Sequence, residues 1–190
     1  SVRAFDPYIY NVRRERSVLG NLSPNDRIFE VSTRDPEGFS GTANFDYEIN
    51  PNSSARLNAA WMDGTSTTDI ERTTTDLKVS PNLDTFQSET GPGLWKNWEI
   101  GGDYEFNTDG GSRWKVLFIS NSDTRATTLE RYDVLSDFSN EKNRFLDSWI
   151  ETKERIVRGS YTFDIFRSQD IEIGAERAQT NLDSKLALGI

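Results

Sequence analysis

The chain has 190 residues, of which 34% are hydrophobic and 28% charged, with a net charge of −9 at pH 7. The length suits one sizeable domain, and no run approaches the ~18 apolar residues of a membrane helix. Cysteine and histidine are both absent, which excludes a disulfide framework, a Ser-His-Asp triad, a Cys-His pair and any His-based metal site. The acidic balance argues against a nucleic-acid partner, because phosphate binding needs clustered Lys and Arg.

Residues 1–26 read as an irregular N-terminal segment, punctuated by Pro7, Gly20-Asn21 and Ser23-Pro24-Asn25-Asp26. Arg13-Arg14-Glu15-Arg16 is short and interrupted by Glu, and reads as a solvated face. Residues 27–190 read as a single β unit of about six or seven strands. Arg27 to Ser32 is its first strand, and Asp35-Pro36-Glu37-Gly38 is a turn.

Three hairpins follow. From Phe39 to Ile49 the odd positions are Phe, Gly, Ala, Phe, Tyr and Ile, and the even ones are Ser, Thr, Asn, Asp and Glu. This is strict period-two alternation, and it meets the ~9–11 residues a tilted strand needs to cross a bilayer. After Asn50-Pro51-Asn52-Ser53-Ser54 the apolar face continues through Ala55, Leu57, Ala59 and Trp61. Pairing Tyr47 with Leu57 sets Glu48 against Arg56. In the second hairpin Trp98, Ile100, Gly102, Tyr104 and Phe106 alternate with polar residues. Asn107-Thr108-Asp109-Gly110-Gly111 then leads into Trp114, Val116 and Phe118. Pairing Tyr104 with Trp114 sets Asp103 against Lys115 and Glu105 against Arg113. The third hairpin carries Val157, Tyr161, Phe163 and Ile165, the turn Phe166-Arg167-Ser168-Gln169-Asp170, and Ile171, Ile173 and Ala175. Its opposite positions are Arg158, Ser160, Thr162, Glu172 and Glu176, and its register stays open.

Between the short turns lie polar excursions, 64–93 and 121–155. Partial alternation within them (Ile70, Leu77, Val79; Leu129, Tyr132, Val134) marks strand extensions, and 136–142 suits a helical turn. Short turns alternating with long loops give an all-β, antiparallel up-and-down meander. They predict a partial transmembrane β-barrel with periplasmic turns and extracellular loops. Tyr47, Tyr104, Phe106, Trp114, Tyr161 and Phe163 lie near the turns, with Trp61 and Trp98 further along the same strands. Two aromatic levels match interface girdles. A soluble sandwich core is the competing reading of the same aromatics.

The remaining motifs carry no chemistry. Asp109-Gly110 is a hairpin signal rather than a calcium loop, which needs further ligands. Gly91-Pro92-Gly93 breaks a loop and has no Lys-Ser/Thr to make a phosphate cradle. The carboxylate pairs Glu99/Asp103 and Glu172/Glu176 satisfy the minimum for a glycosidase, yet a chain with 31 acids produces such pairs by chance. No catalytic, cofactor-binding or metal residue emerges, and an enzyme is not expected.

The segment Arg155-Ile156-Val157-Arg158-Gly159-Ser160-Tyr161-Thr162-Phe163, with Asp170-Ile171-Glu172-Ile173-Gly174-Ala175-Glu176 and Asn181-Leu182-Asp183-Ser184, resembles a barrel hairpin of TonB-dependent outer-membrane receptors. Trp98-Glu99-Ile100-Gly101-Gly102-Asp103-Tyr104 resembles another strand of that family. The resemblance covers roughly residues 27 to 190 and rests on degenerate strand patterns. It implies a Gram-negative outer-membrane location, a wall of twenty-two strands around a plug, and uptake of a scarce nutrient such as a ferric siderophore, corrinoid or glycan. Outer-membrane lipid and a small nutrient ligand, met through the extracellular loops, are the implied partners. An inner-membrane energy-coupling protein is a partner only where a plug and a TonB box exist, and neither is recognisable here. No ligand-contact residue carries over.

Ser1 is not a start methionine, nothing resembles a signal peptide, and Leu186 to Ile190 stop in an alternating strand without a closing aromatic. A fragment of a larger protein is the reading favoured. The rivals are a passive porin-like barrel and a soluble carbohydrate-binding β-sandwich using Trp95 or Trp149 as stacking platforms. In the first excursion, Asp69, Glu71, Asp76, Asp84 and Glu89 outnumber Arg72 and Lys78, which predicts a neutral or cationic ligand.

Overall fold

A computed structural model describes residues 1–5, 9–20, 23–166 and 169–190. All the described elements are strands: β1 (Val2–Phe5), β2 (Tyr10–Gly20), β3 (Ser23–Asn50), β4 (Ser53–Asp76), β5 (Leu83–Asn107), β6 (Arg113–Val134), β7 (Asn140–Phe166) and β8 (Gln169–Gly189). From β3 onward each strand pairs antiparallel with the next in sequence, which makes a meander. The sheet is not closed: β8 is paired on one side only.

β1 and β2 lie end to end along the free side of β3. Most of residues 1–26 is therefore strand, not the irregular segment expected. The physical reason is tertiary: Asn11 to Ser17 are exposed and show no apolar period, but their backbone pairs with the edge of β3, and such context overrides local pattern. The expected turn at Asp35–Gly38 is also absent, since β3 runs straight through it. Pro36 is tolerated because β2 pairing reaches Arg34 and β1 pairing begins at Gly38, so no described partner needs its missing N–H on that side.

Two of the three expected turns lie wholly within the described residues. Pro51-Asn52 joins β3 to β4, and Thr108–Ser112 joins β5 to β6. In the latter Gly111 has φ +86°, a conformation glycine adopts at no steric cost. The Thr108 amide donates to the Ser112 carbonyl at 2.8 Å, and Asn52 Nδ2 donates to Asp109 Oδ1 at 2.9 Å, tying the two turns together. Residues 167–168 of the third turn lie outside the described residues, but Phe166 pairs with Gln169 across it.

Both expected registers are off by two residues. Tyr47 opposes Ala55, and Phe45 opposes Leu57. Phe106 opposes Trp114, and Tyr104 opposes Val116. The first turn is tighter than assumed, two residues with an adjacent irregularity at Ile49, and the second is wider, five residues. Arg56 accordingly faces Asp46, not Glu48, and its ion pair is with Asp103 on β5 at 3.0 Å. Glu105 faces Lys115, Asp103 faces Leu117 and Arg113 faces Asn107. A slip of two keeps every side chain on its face. In the third hairpin Tyr161 opposes Ile173 and Thr162 opposes Glu172.

The polar excursions are mostly strand. β4 continues to Asp76 and β6 to Val134, leaving tips of 77–82 and 135–139. The expected helical turn is a tight turn instead, with Phe138 at φ 63° and its backbone amide donating to the Leu135 carbonyl.

Directly paired residues share a face, so the registers place Phe45, Tyr47, Leu57, Trp61, Ile100, Tyr104, Trp114, Val116, Tyr161, Phe163 and Ile173 on one side of the sheet. They stack on one another within the sheet, as Trp114 does on Tyr161 with ring centres 4.3 Å apart, but no second layer covers them among the described residues. Among the described residues no hydrophobic side chain is buried, and Phe45 is 59% exposed and Trp114 52%. Every contact between strands is between ladder neighbours. The exposed surface is 13670 Å² for 21.7 kDa, against ~9,200 Å² for a compact monomer of that mass.

Within this open sheet, order comes from the ladder and from side chains lying across it. The Trp61 ring covers Gly41, Trp95 covers Gly64, Phe118 covers Gly102 and Phe145 covers Gly189, so that a Cβ at Gly41, Gly64 or Gly189 would strike the ring, and one at Gly102 would meet the Arg56 carbonyl at 2.5 Å and then the Phe118 ring. Each glycine directly opposes its aromatic in the register. A bare backbone under a ring restores the apolar contact that glycine lacks.

Candidate functional site

The face opposite the aromatics carries Asp46, Glu48, Arg56, Glu99, Asp103, Glu105, Lys115 and Arg158 near the turn end. Towards the tips it opens into a hollow of about 350 Å³ between β3 and β6. The floor is made of small residues: Ser66 and Gly93 oppose one another, as do Thr68 and Gly91. The two glycines leave the backbone bare. Trp95 forms one wall, seated on Gly64, and Met62 flanks it.

Two guanidinium groups border the hollow. Arg34 on β3 donates from Nε to Ser66 Oγ at 3.0 Å, and Ser66 is buried. Arg125 on β6 donates from Nε to Asp123 Oδ1 at 3.0 Å, and Asn97 reaches the other Asp123 oxygen at 3.5 Å. Beyond the hollow a row of polar side chains crosses four strands. Arg72 donates to Glu30 Oε2 at 3.0 and 3.1 Å and to Gln87 Oε1 at 3.3 Å. Gln87 Nε2 donates to Asp133 Oδ1 at 2.9 Å. The Gln87 and Asn143 side chains hold the Asp133 carboxyl below its usual range, with the Arg131 charge adding to the effect. This row fixes the strands above the hollow through charge-assisted hydrogen bonds.

The hollow offers an indole face, bare backbone and two guanidinium groups. It can stack a flat or ring-shaped group and donate hydrogen bonds to its acceptors. No acid–base pair lines it. Glu99 and Asp103 lie four residues apart on β5, ~13 Å along the strand, and Asp103 is engaged by Arg56. Glu172 and Glu176 are spaced alike on β8, with Glu172 against Arg158 at 3.5 Å. Both spacings exceed the ~5–9.5 Å between glycosidase carboxylates. Among the described residues no cluster of Asp and Glu is placed to hold a metal ion.

The sequence-stated positions divide between the two faces. Trp95 and Trp149 lie on opposite sides of the sheet, so they cannot share a ligand; Trp149 instead has Lys185 Nζ 5.3 Å from its ring centre. Of the acids in the first excursion, Asp69, Glu71 and Asp84 are on the aromatic side, away from the hollow, and Asp76 and Glu89 on the other. The acid excess is thus not focused on the hollow. Arg34, which borders it, belongs to none of the excursions, and only pairing of Arg34 with Thr68 brings it there. Compared with protein-family models and with curated proteins, the chain has no match.

Proposed function

We propose that this chain is a wall segment of an outer-membrane β-barrel receptor of the TonB-dependent kind, with the aromatic face towards lipid and the hollow towards the lumen. The observation that carries this reading is the slope of the apolar band. Its upper edge is Phe39 on β3, eight residues above Tyr47. In the same rows the edge lies six residues up at Trp61 and Trp98, two up at Phe118 and Val157, and level at Ala175. The edge falls eight residues over five strand-to-strand steps, about 1.6 per step. Strands tilted 35–45° with ~4.8 Å between neighbours need a drop of about 1–1.5 residues per strand for a level apolar belt. A core shared with a second sheet imposes no such slope.

Height supports the reading too. From Trp98 to Phe106 the band is nine residues, eight steps that make ~26 Å along the strand and ~20 Å vertically at that tilt, close to the ~25 Å of a lipid-facing band. Strands of 22 to 28 residues from β3 to β7 extend well beyond it at the tip end only. That asymmetry favours a receptor that rises above the membrane over a low porin. The hollow sits in this raised part and suits an acceptor-rich nutrient with a ring face, of the glycan, corrinoid or siderophore classes.

The test uses the intact protein that contains this chain. Heat-dependent electrophoretic mobility of the membrane-extracted protein is expected, as is nutrient uptake by cells that stops when the inner-membrane proton gradient is collapsed. Uptake that persists without the gradient favours a passive porin. A protein soluble without detergent, whose mobility is the same with and without heating, favours the sandwich.

A further inference from the structure

On the aromatic side, just past the apolar edge of β7 and β8, three cations stand together in a chain whose net charge is −9. Arg155 and Lys153 follow Val157 at alternate positions on β7, and Arg177 pairs with Val157 from β8. Arg155 and Arg177 are therefore diagonal neighbours, ~7–8 Å apart at the backbone, and Lys153 is ~6.6 Å further along. Among the described residues neither arginine makes an ion pair, while Lys153 reaches Glu151 at 2.8 Å. Ser120 and Gln179 flank Arg155 in the ladder and Ser122 and Asn181 flank Lys153, all hydrogen-bonding side chains, while Arg177 opposes the apolar Val157.

We infer that Arg155, Arg177 and Lys153 form an outward-facing site for the phosphate of an anionic lipid headgroup. This rests on the membrane reading above. A line drawn from Trp98 at the slope of a tilted strand meets β7 and β8 at about Arg155 and Arg177, the level of an interface girdle, with Lys153 two residues further out. Among the described residues these two guanidinium groups have no carboxylate partner, and an uncompensated charge facing hydrocarbon is costly. A phosphate between them meets both forks and the Lys153 ammonium. Basic clusters of this kind at a membrane surface recognise anionic headgroups. The acids Glu151 and Asp183, directly paired one step further from the band, close the site on the solvent side and set its height.

The experiment reconstitutes the intact protein into phosphatidylcholine vesicles, alone or with phosphatidylglycerol as the minority lipid, and counts co-purifying phosphatidylglycerol by native mass spectrometry. The natural protein is expected to retain it. Arg155→Gln/Arg177→Gln is expected to lose about twenty-five-fold in retention, at roughly fivefold per cation. Lys96→Gln, which removes an outward cation already paired with Asp63 at 3.2 Å, is expected to change nothing. Equal retention in the natural and double-Gln proteins, or an equal loss in Lys96→Gln, overturns the site while leaving the barrel standing. Failure to insert into phosphatidylcholine alone overturns both. Lys153→Gln gives the same comparison if the double variant does not assemble.

Discussion

Arginine placed at three positions along the aromatic face tests directly whether a bilayer lies against it. On β5 the band runs from Trp98 to Phe106 and centres on Gly102. At the slope of a tilted strand the centre on β6 falls within about one residue of Val116, which faces outward and is 49% exposed. Ile100 lies two residues from the centre, ~5 Å in depth, and Trp98 four residues, ~10 Å. Each arginine variant is compared with alanine at the same position, so that loss of the natural side chain cancels. Val116→Arg is expected to cost about 2–4 kcal/mol, Trp98→Arg about 0–1 kcal/mol, and Ile100→Arg a value between. Ile119→Arg serves as the control, because Ile119 is three residues from Val116 yet on the opposite face, paired with Gly101; its cost should stay near that of a lumen substitution. The assay is equilibrium unfolding of the intact protein from phosphatidylcholine vesicles in guanidinium chloride. Equal costs at Val116, Ile100 and Trp98, or a cost at Ile119 as large as at Val116, refute a bilayer against this face.

Gly41→Ala is expected to destabilise by about 1–3 kcal/mol by displacing the Trp61 ring, and to cost far less in a Trp61→Ala background; additive effects in that cycle refute the pairing. Trp95→Ala is expected to weaken nutrient binding about tenfold, and shortening the tips 77–82 and 135–139 to weaken it less. If shortened tips abolish binding and Trp95→Ala does not matter, the tips and not the hollow hold the ligand. Near the second tip, Ser139 holds the Asp137 carboxyl below its usual range through its hydroxyl and amide, and Lys142, then Tyr132, do the same for Glu130. Both folded values are depressed, so their stabilisation is full above the ordinary carboxylate range near ~4 and fades as pH falls through it to the lower folded values. Chemical shifts of the Ser139 amide should hold steady from neutral pH to ~5 and move below ~4; loosening at higher pH contradicts this origin.

The meander and its faces were legible because period two is read residue by residue: Phe39 to Ile49 and Trp98 to Phe106 needed no tertiary information. Register was less so, because it depends on turn length. Pro51-Asn52 closed with two residues and Thr108–Ser112 with five, and sequence does not separate these from three. The strand character of β1 and β2 was hidden because it comes from pairing with β3, not from any pattern of their own. The hollow was hidden for the same reason. Its parts, Arg34, Ser66, Gly93, Trp95 and Arg125, come from four strands, and only the registers bring them together. A signal was nonetheless present: Gly91 and Gly93 flank a proline in what proved to be a strand, and glycine inside a strand marks close approach or an open face.

Because strands touch only their sequence neighbours from β3 to β8, no long excursion of chain must close before a contact forms. Each hairpin can zip outward from its own short connection on the microsecond scale typical of hairpins. This connectivity allows assembly by successive addition, one hairpin templating the next, although the outer rungs of each long hairpin join residues as far apart as Asp26 and Asp76. The side of β8 turned away from β7 carries 21 residues of strand edge, and how fast that edge is covered, rather than any core packing, governs how long the sheet stays exposed to edge-to-edge aggregation.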